Sequence, residues 1–553
     1  MGDSSFKSHR PFRILAFSLQ LLSENKEHIE GNIGHLGNFV SLVWQETGSE
    51  RPFWCFLASF TKEAHNQRIT YEKSHYSKEF SANPHIFRRS LKKVSFIEES
   101  FLRKVSSIKE ISYDFSSFIK ENVVSLHPDL HKTEDMDKRI AKLLIAENQR
   151  MIQNVEMVKR NISFESHSNY VLVGLRRAGK SYLLYQRAQE MIAQGHLPEE
   201  ILYFNFEDDR LENLQLSDLD AIKQAYEEMY GHQPIFMLDE IQIIDGWEKF
   251  ARRLADQKYR VYITGSNAKM LSSEISTTLG GRYMVLPVFP FSFQEYLTAQ
   301  HISLPAQWEY LQNSDLKRAF LKYFHIGGLP ELVIVDNQFK REWLGNLYNK
   351  IYFGDLITRY GIRNPLAMKT LIRKLSESVK QPQSYNRLAN LVSTVAGKVK
   401  QETIVDYLRY IKDTCLVFSI ENICAKLQDR MSNQKYYFID NGFLSLFLFD
   451  PETSLLENLV AIHLHEKYGE DLFYYHDNVE VDFCLFEHQC AFQVSYSIKD
   501  AATRERELGA LNAYQKRYPG SRLFVITMDE EETIELDDLK IEVIPVWKWL
   551  LTS

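Results

Sequence analysis

The stretch that most constrains the fold is residues 171–181, which reads VLVGLRRAGKS. A short apolar run leads into the spacing G-x-x-x-x-G-K-S, and a helical pattern follows over residues 182–192. A strand, a glycine-rich loop and a helix in this order let backbone N–H groups and the positive helix end converge on phosphate oxygens. The pattern predicts a nucleoside triphosphate site. A chance glycine–lysine turn is the alternative, and the flanking strand and helix disfavour it.

Nine consecutive residues are the predicted nucleotide contacts, and ATP and Mg²⁺ are the expected ligands. They are Gly174, Leu175, Arg176, Arg177, Ala178, Gly179, Lys180, Ser181 and Tyr182. Lys180 is expected to bring a mobile charge to the β- and γ-phosphates, where it also serves as a catalytic group. The Ser181 hydroxyl is expected to supply an oxygen to Mg²⁺.

Two adjacent carboxylates follow a later apolar strand. Residues 201–206 form one predicted strand, and residues 234–240 give a second that closes on Asp239 and Glu240. At this distance beyond a P-loop, Asp239 is predicted to hold Mg²⁺ and Glu240 to orient or deprotonate the attacking water. Because a phosphotransferase would present an acceptor site instead, the adjacent glutamate favours hydrolysis. Solvated carboxylates at a strand end are the alternative.

Two further segments offer catalytic candidates with open alternatives. The strand at 259–267 ends in Thr264, Ser266 and Asn267, any of which would report nucleotide state, unless the segment is a plain turn. Arg282 follows two glycines at the entrance of a fifth strand. Its guanidinium suits the charge on a transferring phosphoryl group, and a surface arginine is the rival interpretation. If Arg282 acts on a neighbour's nucleotide, the active form is a homo-oligomer.

The alternation of strands and helices predicts an α/β fold, with a parallel sheet covered by helices on both faces. A chain of 553 residues is too long for one core. We expect an N-terminal accessory region at 1–132, a P-loop core at 133–300 and a helical lid or connector at 301–363. Two C-terminal domains are expected at 364–435 and 436–553.

Composition favours a soluble, cytoplasmic protein. The net charge is −7, and the five cysteines are dispersed without a C-x-x-C pair, which suggests a reducing compartment and no zinc site. The eight histidines of residues 1–132 form no metal-binding spacing. The sequence has no apolar run of about 18 residues, so we expect no membrane association.

Residues 364–435 have a winged-helix layout. Two short amphipathic helices at 384–392 and 400–411 precede a strand at 415–420. Nine Lys or Arg residues stand against four acids between Pro365 and Asp413, an excess that suits contact with a DNA backbone. Winged helices also dock proteins, and a charged face can simply be solvated. DNA and a protein therefore both remain possible partners.

The motifs together resemble a prokaryotic group of AAA-type ATPases. They are GLRRAGKS, FMLDEIQ, ITGSNA, LGGRY, PFSFQEY at 290–296 and GGLPE at 327–331. In that group the P-loop core precedes a C-terminal domain of unknown function, built from a winged-helix part and a restriction-endonuclease-like part. The resemblance covers about residues 135–553 and implies an AAA-type core. Residues 1–132 look like an extension of the usual form.

The resemblance also implies positions for a nuclease site in residues 436–553. The family's two acids fall on Glu457 and Asp482, and its E-x-K pattern falls on Gln493 and Ser495. Glutamine is a poor anionic ligand, and serine cannot supply the ammonium that helps to activate water. We therefore expect a degenerate, inactive nuclease-like domain. If cleavage occurred, Lys499 is the nearest lysine in sequence that could supply the missing charge.

Three functional hypotheses follow. The first is an ATPase switch that acts on DNA, and the second is a nuclease gated by ATP. The third is an ATP-gated scaffold whose partner is a protein. Salt-sensitive DNA binding would separate the first from the third, and metal-dependent cleavage would reveal the second.

Overall fold

The computed structural model describes residues 138–211, 214–266, 278–304, 308, 314–536 and 539–552. The predicted accessory region at 1–132 and the candidate Asn267 lie outside these residues. No helix within the described ranges is long and apolar enough to cross a membrane.

The first part of the described chain is an α/β unit around a five-stranded parallel sheet, as predicted. Its strands run in the order β2-β3-β4-β1-β5. They are β1 (Asn169–Val173), β2 (Ile201–Asn205), β3 (Ile235–Asp239), β4 (Val261–Gly265) and β5 (Tyr283–Pro287). The surrounding helices are α1 (Lys138–Asn154), α2 (Lys180–Ala193), α3 (Asp218–Met229) and α4 (Trp247–Asp256).

The inner strands are apolar along their whole length because both faces of the sheet are covered. In β1, Leu172 packs into one hydrophobic cluster, whereas Val171 and Val173 pack into the cluster on the other face. In β3, Met237 packs into the first of these clusters and Phe236 into the second. This two-sided burial fixes the strand ends, and therefore the loops that follow them.

A helical connector follows the sheet. It contains α5 (Phe293–Ala299), α6 (Ser314–Ile326), a 3₁₀ turn (Pro330–Val333), α7 (Lys340–Lys350) and a π-helix (Ile351–Thr358). A capping box starts α5, since Ser292 accepts from the Glu295 N–H while the Glu295 side chain accepts from the Ser292 N–H. π-Helical turns are rare and occur often at functional sites. The segment Ile351–Thr358 is such a turn, and it contains the buried carboxyl residue Asp355.

The C-terminal half is built on a mixed nine-stranded sheet in the order β13-β14-β12-β11-β10-β9-β7-β8-β6. Its strands are β6 (Gln383–Ser384), β7 (Val417–Asn422), β8 (Asn433–Phe438), β9 (Leu472–His476), β10 (Glu480–Leu485), β11 (Cys490–Val494), β12 (Arg522–Thr527), β13 (Glu532–Leu536) and β14 (Leu539–Pro545). Its helices are α8 (Pro365–Glu377), α9 (Tyr385–Ala396), α10 (Gln401–Asp413), α11 (Leu427–Ser432), α12 (Asn441–Phe447), α13 (Glu452–Tyr468), α14 (Ala501–Arg517) and α15 (Val546–Thr552).

One pairing joins the two C-terminal segments that the sequence suggested as separate domains. Strand β7 pairs with β8 in an antiparallel hairpin and with β9 in parallel, so a single sheet runs through both segments. The boundary expected after residue 435 falls inside β8. The continuous sheet was not predicted, because the parallel β7–β9 contact joins residues that are far apart in sequence.

Candidate nucleotide site

The P-loop lies at the carboxyl edge of the first sheet, between the two strands that flank β1. It leaves β1 after Val173 and enters α2 at Lys180. A Cβ at Gly174 would lie 2.1 Å from the Val288 carbonyl oxygen, so only glycine fits there. Gly179 has φ 96°, in the left-handed region that glycine adopts without strain. The sequence thus shapes a tight loop that leads directly to a helix N-terminus.

The Lys180 side chain is buried and folds back over the loop. Its Nζ donates to the carbonyl oxygens of Gly174 and Leu175, each at 3.1 Å. The same ammonium lies 3.6 Å from Glu240 Oε1. The structure therefore brings Lys180 and Glu240 together across the carboxyl edge of the sheet.

Asp239 ends β3 as a fully buried carboxyl. It accepts hydrogen bonds from the Tyr203 hydroxyl at 2.6 Å and from the Thr264 hydroxyl. Burial raises the pKa of Asp239, against hydrogen bonds from Thr264, Tyr203 and Ser181 that lower it. Asp239 and Ser181, the two predicted Mg²⁺ ligands, are thus neighbours in the structure.

Glu240 sits in a strained position beside them. Its backbone is left-handed, with φ 56°, and its N–H donates to Thr264 Oγ1 at 3.0 Å. Gln242 donates to its Oε2. Burial alone would raise its pKa, but Lys180, Gln242 and Arg176 outweigh burial and lower the pKa of Glu240 below the ordinary value. Glu240 is therefore a carboxylate at neutral pH.

Two P-loop arginines reach outward to carboxylates of other segments. Arg176 Nε lies 3.2 Å from Asp355 Oδ2, and its Nη1 lies 3.1 Å from Glu207 Oε1. Arg359 holds the second oxygen of Asp355 at 2.8 Å. Asp355 belongs to the π-helix, so an ion pair links the P-loop to the connector.

The second arginine makes a parallel contact. Arg177 pairs with Glu331, which belongs to the 3₁₀ turn of the connector, and its guanidinium lies 5.8 Å from the Trp343 ring centroid. A Cβ placed on Gly179 would lie 3.6 Å from Pro330 Cγ, so the turn also packs against the loop. The connector therefore touches the P-loop at three places.

Arg282 is not brought to the P-loop of its own chain. It precedes β5, whose Tyr283 pairs with Asn169 at the amino end of β1. The four steps along β1 from Asn169 to Val173, about 13 Å at roughly 3.3 Å per step, separate this edge from the loop. Its Nε lies 2.6 Å from Asp256. Any role of Arg282 in the chemistry would have to be exerted on another chain.

The remaining loop residues divide by exposure. Leu175 and Ala178 are buried and hold the loop down, whereas Tyr182 is 53% exposed on the first turn of α2. Thr264 and Ser266 are both buried at the carboxyl edge of the sheet. Of these two described residues, Thr264 is linked to both carboxyl residues, because its hydroxyl donates to Asp239 and accepts from the Glu240 N–H.

Sequence reasoning missed a buried arginine, Arg160, that donates to a P-loop carbonyl oxygen. Arg160 pairs with both oxygens of Glu295 at 2.9 Å, and its Nη1 donates to the Phe289 carbonyl at 2.8 Å and the Ala178 carbonyl at 3.4 Å. It also lies 5.6 Å from the Phe291 ring centroid. Arg160 precedes β1 in a segment with no recognisable pattern, so only its contacts reveal its position.

The residues carried over to the C-terminal half form a second cluster. Glu457 and Asp482 face each other, but a lysine that the sequence did not single out lies between them. Lys435 Nζ is 3.5 Å from Glu457 Oε1 and 3.5 Å from Asp482 Oδ1. Ser495 is absent from this contact set and donates to the Ser497 carbonyl. Lys499, the lysine expected to compensate, is exposed.

Comparison with known proteins assigns two segments of the chain to described families. Residues 166–297 match the family model described as an AAA domain, and residues 317–453 match the one described as a domain of unknown function, DUF8612. The first is a P-loop nucleotide-binding domain. The chain belongs to the family of P-loop ATPases in which such an AAA domain precedes this C-terminal domain.

Two uncharacterized relatives match this chain over most of their own length. The uncharacterized protein MJ1544 of Methanocaldococcus jannaschii is 32% identical over 436 residues, which cover 75% of this chain and 96% of the relative. An uncharacterized protein of Haemophilus influenzae is 29% identical over 392 residues, covering 69% and 94%. A solved Walker-type ATPase of Pyrococcus abyssi is 15% identical, with a TM-score of 0.33, and covers 54% of this chain and 94% of its own.

Proposed function

We propose that the chain is a Mg²⁺-dependent ATPase whose nucleotide state controls its C-terminal half. The observation that carries the proposal is the convergence of Lys180, Asp239 and Glu240 at one edge of the sheet. The Lys180 ammonium lies 3.6 Å from Glu240 Oε1, and Glu240 is held as a carboxylate. A phosphate cradle beside an ionised carboxylate suits phosphoryl transfer to water.

The residues present fit a magnesium ion. Mg²⁺ prefers oxygen ligands, and the Ser181 hydroxyl and the Asp239 carboxyl are hydrogen-bonded neighbours at the mouth of the loop. These two residues would hold the ion directly or through its water shell. When bound, Mg²⁺ would neutralise charge on the β- and γ-phosphates.

The chain's own groups divide the remaining work. Lys180 would exchange its two backbone acceptors for phosphate oxygens, because a charged partner binds an ammonium more strongly than a carbonyl does. Glu240 would accept a hydrogen bond from the attacking water and orient it. Thr264, which links Asp239 to the Glu240 N–H, would keep the two carboxyl groups in register.

Paired substitutions test the ATPase. Lys180→Ala should abolish nucleotide binding, whereas Glu240→Gln should bind ATP normally and lose at least about 100-fold in turnover, as expected for loss of a general base. Lys249→Ala and Glu156→Gln are matched controls at exposed positions. Binding is measured with a fluorescent nucleotide and turnover by phosphate release. Normal hydrolysis by Glu240→Gln would refute the assignment.

The contacts of Arg176 and Arg177 support control of the C-terminal half. Both guanidinium groups start from the P-loop and end on connector carboxylates, Asp355 and Glu331. Phosphate oxygens would compete with these carboxylates for the arginines, because guanidinium binds both in the same bidentate manner. Nucleotide binding would thus loosen the connector from the loop.

DNA is the partner proposed for the C-terminal half. The support is the arrangement of α9, α10 and the β7–β8 hairpin, with β6 pairing to β8, which matches a winged-helix layout. Arg387, Lys398 and Lys400 are exposed on α9 and on the turn before α10. Arg373, Lys374 and Arg409 pair with acids of their own helices, which reduces the charge left for phosphates.

A protein is the second candidate partner, and the helix α11 between β7 and β8 favours it. Leu427 and Met431 on α11 are 73% and 58% exposed, and large exposed apolar side chains suit a protein interface.

A salt titration of duplex DNA binding separates the DNA partner from the protein partner. With the three exposed cations Arg387, Lys398 and Lys400 we expect a log–log slope of about −3, reduced by about two in the Lys398→Glu, Lys400→Glu variant. Binding that ignores salt and charge reversal would favour the protein partner.

Arg282 is proposed to act on the nucleotide of a neighbouring copy. Its support is its place at the sheet edge opposite its own P-loop. Mixing Arg282→Ala subunits with Lys180→Ala subunits should restore hydrolysis at mixed interfaces. If each variant assembles and the mixture stays inactive, action between copies is refuted.

A further inference from the structure

The cluster around Lys435 carries an inference that is independent of the ATPase. Lys435 lies on β8 and its side chain is fully buried. Three carboxylates surround its ammonium, Glu480 Oε1 at 2.7 Å and Glu457 Oε1 and Asp482 Oδ1 each at 3.5 Å. They come from α13 and β10, so three separate elements meet at one cation.

The other polar groups of the cluster are hydrogen-bonded to neighbouring groups of the same chain. Tyr437 donates to Glu457 Oε1 at 2.8 Å, and the Val494 N–H donates to Asp482 Oδ2 at 2.9 Å. The Gln493 carbonyl oxygen accepts from the Asp482 N–H at 2.8 Å, while its amide donates to Glu507 at 2.7 Å. Gln493, which stands at the glutamate position of the family's E-x-K pattern, therefore has both ends of its amide bonded within the protein.

The charges of the cluster fit an ammonium and do not fit a divalent ion. Mg²⁺ and Mn²⁺ require an open set of oxygen ligands about 2.0–2.2 Å away, and a fixed ammonium among the same oxygens repels them. Among the described residues, no three acidic, histidine or cysteine side chains are arranged to hold a metal ion.

We propose that the Lys435 ammonium takes the place of a divalent cation in this cluster. It neutralises the carboxylates that a nuclease-like fold would use for metal, and it holds α13, β8 and β10 together. The cluster is then a structural ion centre, closed to metal-dependent phosphodiester cleavage.

The proposal predicts a rescue by metal that only the lysine variant shows. Lys435→Ala leaves the carboxylates without their cation, so its melting temperature should fall by several degrees and be partly restored by millimolar Mn²⁺. Wild type and the exposed control Lys516→Ala should not respond to Mn²⁺ without nucleotide. In Lys435→Ala, Asp482→Asn the metal response should disappear, because the excess negative charge is reduced.

If Lys435→Ala does not fold, the wild-type protein provides a second test. Its Mn²⁺ binding is measured by electron paramagnetic resonance without nucleotide, and its action on plasmid DNA with Mg²⁺ or Mn²⁺. We expect wild type to show neither Mn²⁺ binding nor DNA cleavage that depends on Asp482. If wild type binds Mn²⁺ or cleaves DNA and Asp482→Asn abolishes that signal, the proposal is overturned and the cluster is a metal site. A folded Lys435→Ala that Mn²⁺ does not stabilise would also overturn it.

Discussion

Removing the Asp355 carboxylate should strengthen nucleotide binding. Arg176 is shared between Asp355 at 3.2 Å and Glu207 at 3.1 Å. In the proposed control, ATP draws this guanidinium away, and the ion pair opposes the change. The substitution Asp355→Asn keeps the shape of the side chain and removes the charge that competes with phosphate.

The expected magnitude follows from the geometry. Two unit charges 3.2 Å apart attract by about 5 kcal/mol at an effective dielectric constant of about 20. Arg176 is one-fifth exposed, and Glu207 retains it after the substitution. We therefore expect a net gain of about 1–2 kcal/mol, which is about 5- to 30-fold tighter binding.

A double-mutant cycle separates this effect from general electrostatics. Loss of any nearby negative charge favours an anionic ligand, but only the proposed competition acts through Arg176. Asp355→Asn should therefore tighten binding in the wild-type background and have little effect in Arg176→Gln. Asp336→Asn, at an exposed connector position, is the matched control. Nucleotide affinity is measured by calorimetry. Unchanged affinity in Asp355→Asn, or an equal gain in both backgrounds, would refute the competition.

Three further predictions concern the loop and the C-terminal half. Gly174→Ala should lose nucleotide binding without global unfolding, since its Cβ would meet the Val288 oxygen at 2.1 Å; circular dichroism and nucleotide titration check both points. Asp440→Ala should cost about 2–4 kcal/mol of unfolding free energy, seen as a lower melting temperature, because the buried N–H groups of Gly328 and Gly442 lose their acceptor. Burial raises the pKa of Asp440 to about 6, so up to about 3 kcal/mol of stability is lost as pH rises from about 4 to about 6, and Asp440→Asn should remove that part of the dependence.

The parallel core and the positions of its candidate site residues could be predicted because their signals are local. The P-loop directly follows β1, and Asp239 and Glu240 directly follow the apolar residues of β3, so strand ends in sequence are strand ends in space. Parallel strands then bring those ends to one edge of the sheet. The predicted Ser181–Asp239 neighbourhood required nothing more than this rule.

The contacts proposed to control the site could not be predicted, because they join distant segments. Asp355 carries no motif and becomes informative only when the π-helix brings it to Arg176. Lys435 likewise looks like an ordinary strand residue until α13 and β10 place carboxylates around it. The pattern E-x-K directed attention to Gln493 and Ser495, whereas the ammonium comes from another strand of the same sheet.

Trp343 offers the most direct test of nucleotide control. Its ring lies 5.8 Å from the Arg177 guanidinium, so its fluorescence reports on the contact between P-loop and connector. The chain has seven tryptophans, and subtraction of the Trp343→Phe spectrum isolates this one. ATP with Mg²⁺ should change the Trp343 signal in wild type and leave it unchanged in Lys180→Ala. If bound nucleotide, measured in the same samples, leaves the Trp343 signal of wild type unaltered, the connector does not respond to the site and the account is contradicted.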